Sequence, residues 1–133
     1  MGKFFHKPNP DQQNRVPPGQ HLASGFPVLT YGQTPSVSTE NWEFKVWGLA
    51  TPKTFTWEDF MAMPQSEFTA DFHCVTTWSK LDVKWRGVKV TDFMRSVDVN
   101  PTAVHLIEHC YGGYTTNIAM EDFLREENFF AHT

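Results

Sequence analysis

Two cysteines carry the chemistry this sequence could do, and each one follows a histidine: His73-Cys74 and His109-Cys110. Cys74 closes the stretch Phe68 to Cys74 and runs into Val75-Thr76-Thr77-Trp78-Ser79. A thiol at the end of an apolar strand, beside a polar turn, can face a cleft while the sheet holds it rigid. As a thiolate it is a soft donor for a metal that favours sulfur. The competing reading is a buried cysteine acting as a small hydrophobe. Cys110 opens Cys110-Tyr111-Gly112-Gly113-Tyr114-Thr115-Thr116-Asn117. Its paired glycines allow a sharp turn or a close approach to a ligand. Tyr114, Thr115, Thr116 and Asn117 then offer hydroxyls and an amide. A hairpin turn followed by an edge strand explains the same residues equally well.

Two His-Cys pairs also suggest a zinc site of Cys2His2 type. Adjacent residues on a strand point to opposite faces, which works against His73 and Cys74 converging on one ion. A Cys74–Cys110 disulfide is disfavoured in a reducing compartment. His21, His105 and His132 stand alone. Among the tryptophans, Trp42, Trp47, Trp57 and Trp85 read as core, whereas Trp78 lies close to Cys74.

The elements that must position these groups are short. Residues 1–39 are rich in Pro, Gly, Gln, Asn and Ser and read as an irregular leader, with Gly25 to Tyr31 packing on the domain of residues 40–133. Trp42, Phe44 and Val46 alternate with Glu43 and Lys45, the period of a half-buried strand. Thr56 to Met63 reads as a helix with Thr56 as its N-cap and Pro64 as its stop. From Glu67 to Val75 the alternation returns, with Phe68, Ala70, Phe72 and Cys74 on one face. Trp85 to Val90 reads as a turn leading into a short segment, after which Thr91 caps a helix from Asp92 to Val97 with Phe93 and Val97 as its buried pair. Ala103 to Cys110 and Tyr114 to Ile118 read as strands broken by Gly112-Gly113, and Met120 to Arg125 as a last helix. Interleaved short strands and helices predict an α+β or mixed α/β domain.

Bulk properties exclude several functions. The 133 residues are 40% hydrophobic and 15% aromatic, enough to bury a core. The formal net charge is −4, without the basic stripe that nucleic acid would need. No apolar run reaches the length of a membrane span. The N-terminus has no signal-peptide core, so a cytoplasmic location is expected.

Four pieces in order resemble a known family. They are Val16-Pro-Pro-Gly-Gln20 with Gly25-Phe-Pro-Val-Leu29, Phe72-His-Cys-Val-Thr-Thr-Trp-Ser79, Trp85-Arg-Gly-Val88, and His109-Cys-Tyr-Gly-Gly-Tyr-Thr-Thr-Asn117. Together they are similar to the sulfite oxidase-type molybdopterin-dependent oxidoreductases, in particular the small bacterial stand-alone members. The resemblance implies the α+β sulfite oxidase-type molybdopterin-binding fold, with mixed β-sheets and short helices. It implies a molybdenum-molybdopterin cofactor whose metal is bound by Cys74, with Tyr114 as a second catalytic residue. His73, Thr76, Thr77, Trp78, Ser79, Thr115, Thr116 and Asn117 match regions lining the cofactor pocket. The implied activity is oxygen-atom transfer to or from a small-molecule oxide, with a separate electron-transfer partner, because no haem attachment motif is present.

The sequence departs from the family in two places. Sulfite oxidases carry arginines shortly after the metal cysteine, suited to an anionic substrate. Here the stretch is Thr77-Trp78-Ser79-Lys80. A less charged oxide, such as a sulfoxide or N-oxide, becomes at least an equal expectation. The family domain also continues past the point that corresponds to Thr133, so the domain is expected to be truncated at its C-terminus. The alternative function is a cofactor-free binding or interaction domain that retains the fold.

Overall fold

The computed structural model describes residues 5–133; the leader's first residues, 1–4, lie outside them. The elements run in chain order as β1 (Phe5–His6), α1 (Pro10–Gln13), β2 (His21–Ala23), β3 (Glu43–Val46), β4 (Lys53–Thr56), α2 (Trp57–Ala62), β5 (Ser66–Cys74), β6 (Trp78–Lys89), α3 (Val90–Met94), β7 (His105–His109), β8 (Thr115–Ala119), α4 (Met120–Phe123) and β9 (Phe129–Ala131). Mixed sheets with short helices make this an α+β fold, as expected. No helix among the described residues is long and apolar enough to cross a membrane. The chain divides into two compact units, Met1–Leu29 with Glu67–Trp85, and Thr30–Ser66 with Arg86–Thr133.

In the first unit the strand order is β1-β2-β6-β5. The leader carries regular elements as far as Ala23 and none from residue 24 to residue 39. Asn9 caps α1 by accepting from the Gln12 N–H, while the Gln12 side chain accepts from the Asn9 N–H, and Pro10 occupies the first helical position, where its missing N–H costs nothing. Strand β2 then pairs in parallel with the start of β6, His21 opposite Trp78 and Leu22 opposite Ser79. Leu22, Ala23, Trp78 and Val83 are the buried apolar residues here. Phe72 stacks on Trp78 at 5.3 Å between ring centroids, and Phe26 meets both rings edge-on. A charged clamp joins the leader to the β5–β6 pair. Arg15 donates through Nε to Asp71 at 3.0 Å and through its terminal nitrogens to Asp71 and Asp82. Asp71 also accepts from the Asp82 N–H at 3.0 Å, where the backbone has a φ of 55°.

The second unit is organised by aromatic packing. Strands β3 and β4 pair antiparallel, Phe44 opposite Phe55. Trp42, Phe44 and Val46 pack against a buried cluster of Phe55, Phe60, Val88 and Phe93, as the alternation predicted. Fully burying a Val or Phe side chain contributes about 1.5–3 kcal/mol, so these four residues supply much of what holds the unit together. Thr56 caps α2 by accepting from the Asp59 N–H at 3.2 Å, and Asp59 accepts in return from Thr56 at 2.9 Å. The helix stops two residues before Pro64, and the Gln65 amide donates to the freed carbonyl of Phe60 at 3.2 Å. The end of β6 pairs antiparallel with β9. At Gly87 a side chain has no room: a Cβ would lie 2.0 Å from the Phe130 carbonyl oxygen. Strands β7 and β8 form a hairpin, turned by Gly112 and Gly113 with φ near 90°.

Two expectations about this region change. The residues Trp85 to Val90, read as a turn, are the last part of the twelve-residue strand β6 and the residue that follows it. The next helix begins at Val90, before Thr91, with no side-chain cap. Packing decides its start: Val90 and Phe93 are both buried. The Val90 N–H is satisfied by the Asn128 carbonyl at 3.0 Å, so no capping side chain is required.

Candidate functional site

Cys74 ends β5, and the next three residues turn the chain into β6. The turn is closed by the Thr77 N–H donating to the Cys74 carbonyl at 3.1 Å. Thr77 carries it with a φ of 72°, the left-handed region that β-branched residues rarely adopt. Such a conformation persists only where surrounding contacts over-determine it. They do so here. The Thr77 carbonyl accepts from the His21 N–H at 2.9 Å. The Gln20 side-chain amide donates to the Cys74 carbonyl at 3.0 Å.

The thiol itself is half-buried and free. Its sulfur lies 3.1 Å from the Thr76 hydroxyl. That hydroxyl, followed by the backbone N–H of Thr76, holds the thiol below its ordinary range; burial opposes them, and the Val75 N–H adds a lesser pull in the same direction as theirs. Hydrogen bonds aimed at the charged form favour it, and the thiolate is the form that binds metals.

Around the cysteine lies a short polar chain. His73 Nδ1 is 2.8 Å from the Ser79 hydroxyl. Ser79 is fully buried and donates to Gln20 Oε1 at 3.1 Å. Trp78 is buried as well, and its indole N–H finds no acceptor among the described residues. Buried donors are nearly always paired, so this one lacks the acceptor such a group normally has.

The first unit therefore holds His73, Cys74, Thr76, Thr77, Trp78 and Ser79, with His73, Cys74, Thr76 and Ser79 linked by the contacts above. The remaining candidates belong to the second unit. Tyr114 is exposed and meets Tyr31 edge-on at 5.1 Å. Its carbonyl accepts from the Cys110 N–H at 2.8 Å, closing the hairpin. Thr115, Thr116 and Asn117 are exposed on β8, opposite His109, Glu108 and Ile107. Cys110 is exposed, and His109 packs on Trp47 at 5.1 Å. A broad open groove in this unit is lined by residues including Trp42, Val46, Leu106, Ile118 and Phe130.

No group of three or more His, Cys, Asp or Glu side chains among the described residues is placed to hold a metal ion. The thiolate-favouring turn and the unpaired indole N–H of Trp78 fit a sulfur-favouring metal carried by an organic chelate. Sequence reasoning did not single out Gln20 as a site residue. Its only signal was its place in the Val16–Gln20 piece of the resemblance.

Comparison with known proteins bears on the same segments. Residues 31–133 match the oxidoreductase molybdopterin-binding domain family. An uncharacterized oxidoreductase of Bacillus subtilis (strain 168), YuiH, is 40% identical over 124 residues, which cover 92% of this chain and 63% of that protein. The chain thus spans less than two thirds of that relative's length. No solved structure matches significantly.

Proposed function

We propose a function from one premise: the chain belongs to the oxidoreductase molybdopterin-binding domain family. The reading is a molybdenum-molybdopterin oxidoreductase in which Cys74 bonds the metal, and which transfers an oxygen atom to or from a small oxide. The single observation that carries it is the Cys74 turn, where the Thr76 hydroxyl and two backbone N–H groups favour the thiolate. When bound, the cofactor would supply the change of metal oxidation state that accompanies oxygen transfer. The chain's own residues do the rest. Cys74 anchors, and the Thr76 hydroxyl, 3.1 Å from its sulfur, favours the thiolate. Thr77 and Gln20 hold the turn by bonding the Cys74 carbonyl. Trp78 offers its indole N–H to an acceptor on the ligand.

Roles for His73, Ser79, Thr115, Thr116 and Asn117 as cofactor contacts, and for Tyr114 as a second catalytic residue, are proposed on the family resemblance. Thr77-Trp78-Ser79-Lys80 offers no arginine for an anionic substrate, which makes a sulfoxide or N-oxide at least as good a candidate as sulfite. Electrons would come from a separate protein or soluble donor.

Elemental analysis of the purified holoprotein tests the reading. Stoichiometric molybdenum is expected, with a pterin fluorescence signal after denaturation, and Cys74→Ala should remove the metal while Cys110→Ala keeps it. Full molybdenum in the Cys74→Ala protein would overturn the assignment. Absence of both metal and pterin from the unaltered protein would favour a cofactor-free interaction domain.

A further inference from the structure

We propose that Gln20 is a positioning residue that decides, through the buried Ser79 hydroxyl, which nitrogen of His73 carries the proton. The inference rests on the proposed function only in treating Cys74 as the group this network serves; the proton placement stands without it.

The derivation is a count of donors and acceptors. Only the NH2 end of the Gln20 amide can donate to the Cys74 carbonyl, 3.0 Å away. The flipped amide would set two carbonyl oxygens against each other. The amide oxygen must therefore face Ser79, at 3.1 Å. Oxygen there accepts only, so the one hydroxyl proton of Ser79 goes to Gln20. Ser79 is fully buried, so water does not compete for that proton. With its proton committed, the Ser79 oxygen can meet His73 Nδ1, 2.8 Å away, only as an acceptor. The neutral ring thus carries its proton on Nδ1.

The consequence lies at the other nitrogen. Nε2 keeps a lone pair, on a ring that is exposed. His73 therefore meets a ligand as a hydrogen-bond acceptor, and the ligand group it fits is an N–H or O–H donor. Partners of this kind set the tautomer and orientation of histidines at functional sites. Gln20 is suited to the task because one amide serves both neighbours. Its NH2 group ties down the Cys74 carbonyl and its oxygen orients Ser79.

Proton–nitrogen multiple-bond correlation spectra of the full chain, recorded at alkaline pH where imidazoles are neutral, distinguish the two tautomers directly. His73→Asn identifies the signal among the six histidines. The unaltered protein should show His73 as the Nδ1–H form, and an Nε2–H pattern overturns the proposal whatever the variants do. Gln20→Leu frees the Ser79 hydroxyl to donate to Nδ1 instead, so His73 should switch to Nε2–H. An Nδ1–H ring that persists in Gln20→Leu would overturn the proposal, since the Ser79 proton would then be placed by something other than the Gln20 oxygen. Neither measurement involves molybdenum, so failure here is separate from failure of the Cys74 assignment.

Discussion

The dipeptide His-Cys occurs twice, once in each unit, and the two copies meet different surroundings. At His73-Cys74 the histidine bonds a buried hydroxyl, the cysteine carbonyl takes two hydrogen bonds, and the sulfur contacts Thr76. At His109-Cys110 the histidine lies against Trp47, the cysteine side chain is exposed, and its backbone closes a hairpin. The contrast extends to the units themselves. The first is joined by a charged clamp and a polar chain around a small apolar core, and the second is held by a cluster of aromatic rings. Dipeptide identity thus says little about chemistry. What matters is whether the following residues form a turn whose donors point at the sulfur.

The contrast can be broken at its strongest point first. Phe93→Ala removes a ring that packs against Phe44, Phe55 and Phe130 at about 5 Å. A loss of about 3–5 kcal/mol is expected from emptying so buried a site, read as a lower denaturant midpoint. A loss below about 0.5 kcal/mol, the range of surface substitutions, would mean that the second unit does not depend on its aromatic core.

A smaller effect is expected from Arg15→Ala in the first unit, where the lost groups are partly exposed and screened by solvent. Its diagnostic is pH. Arg15 holds the Asp71 carboxyl below the usual carboxylate range. A depressed acid contributes stability that is complete above its unfolded pKa and is lost as pH falls through the folded value. Chemical denaturation at several pH values should therefore show the gap between the two proteins closing in acid. A gap independent of pH would remove the clamp from the account.

The smallest change concerns Cys74 alone. In a Cys110→Ser background, the alkylation rate of Cys74 should rise at a lower pH than in the urea-unfolded chain. Thr76→Val should move that rise back toward the ordinary thiol range, though not fully, because two backbone N–H groups remain. An unmoved profile would show that the hydroxyl contributes nothing.

Local signals were legible where a pattern and its neighbours agree. Trp42-Phe44-Val46 faces the core as its alternation required. Thr56 caps its helix, and Gly112-Gly113 turns the β7–β8 hairpin. The family resemblance pointed to Cys74, and its flanking polar run is indeed a turn. The strand β6 was not legible, because Asp82 and Gly87 interrupt any reading by alternation. One is a left-handed position bonded to Asp71, and the other exists to let the β9 backbone approach. Neither reason is visible without the partner.

The sequence by itself determined the period of the Trp42–Val46 strand, the Thr56 cap, the Gly112-Gly113 turn, and the family to which the chain belongs, since these depend on residues close in the chain or on their order. Only the tertiary structure decided that the leader supplies two strands to the first unit and that Gln20, fifty-four positions before Cys74, bonds its carbonyl. The same holds for the exposure of Cys110. The physical reason is that a hydrogen bond or a parallel pairing across such a distance needs geometric meeting, for which composition and spacing leave no trace. A side chain's proton, likewise, is placed by the neighbours it meets in the fold.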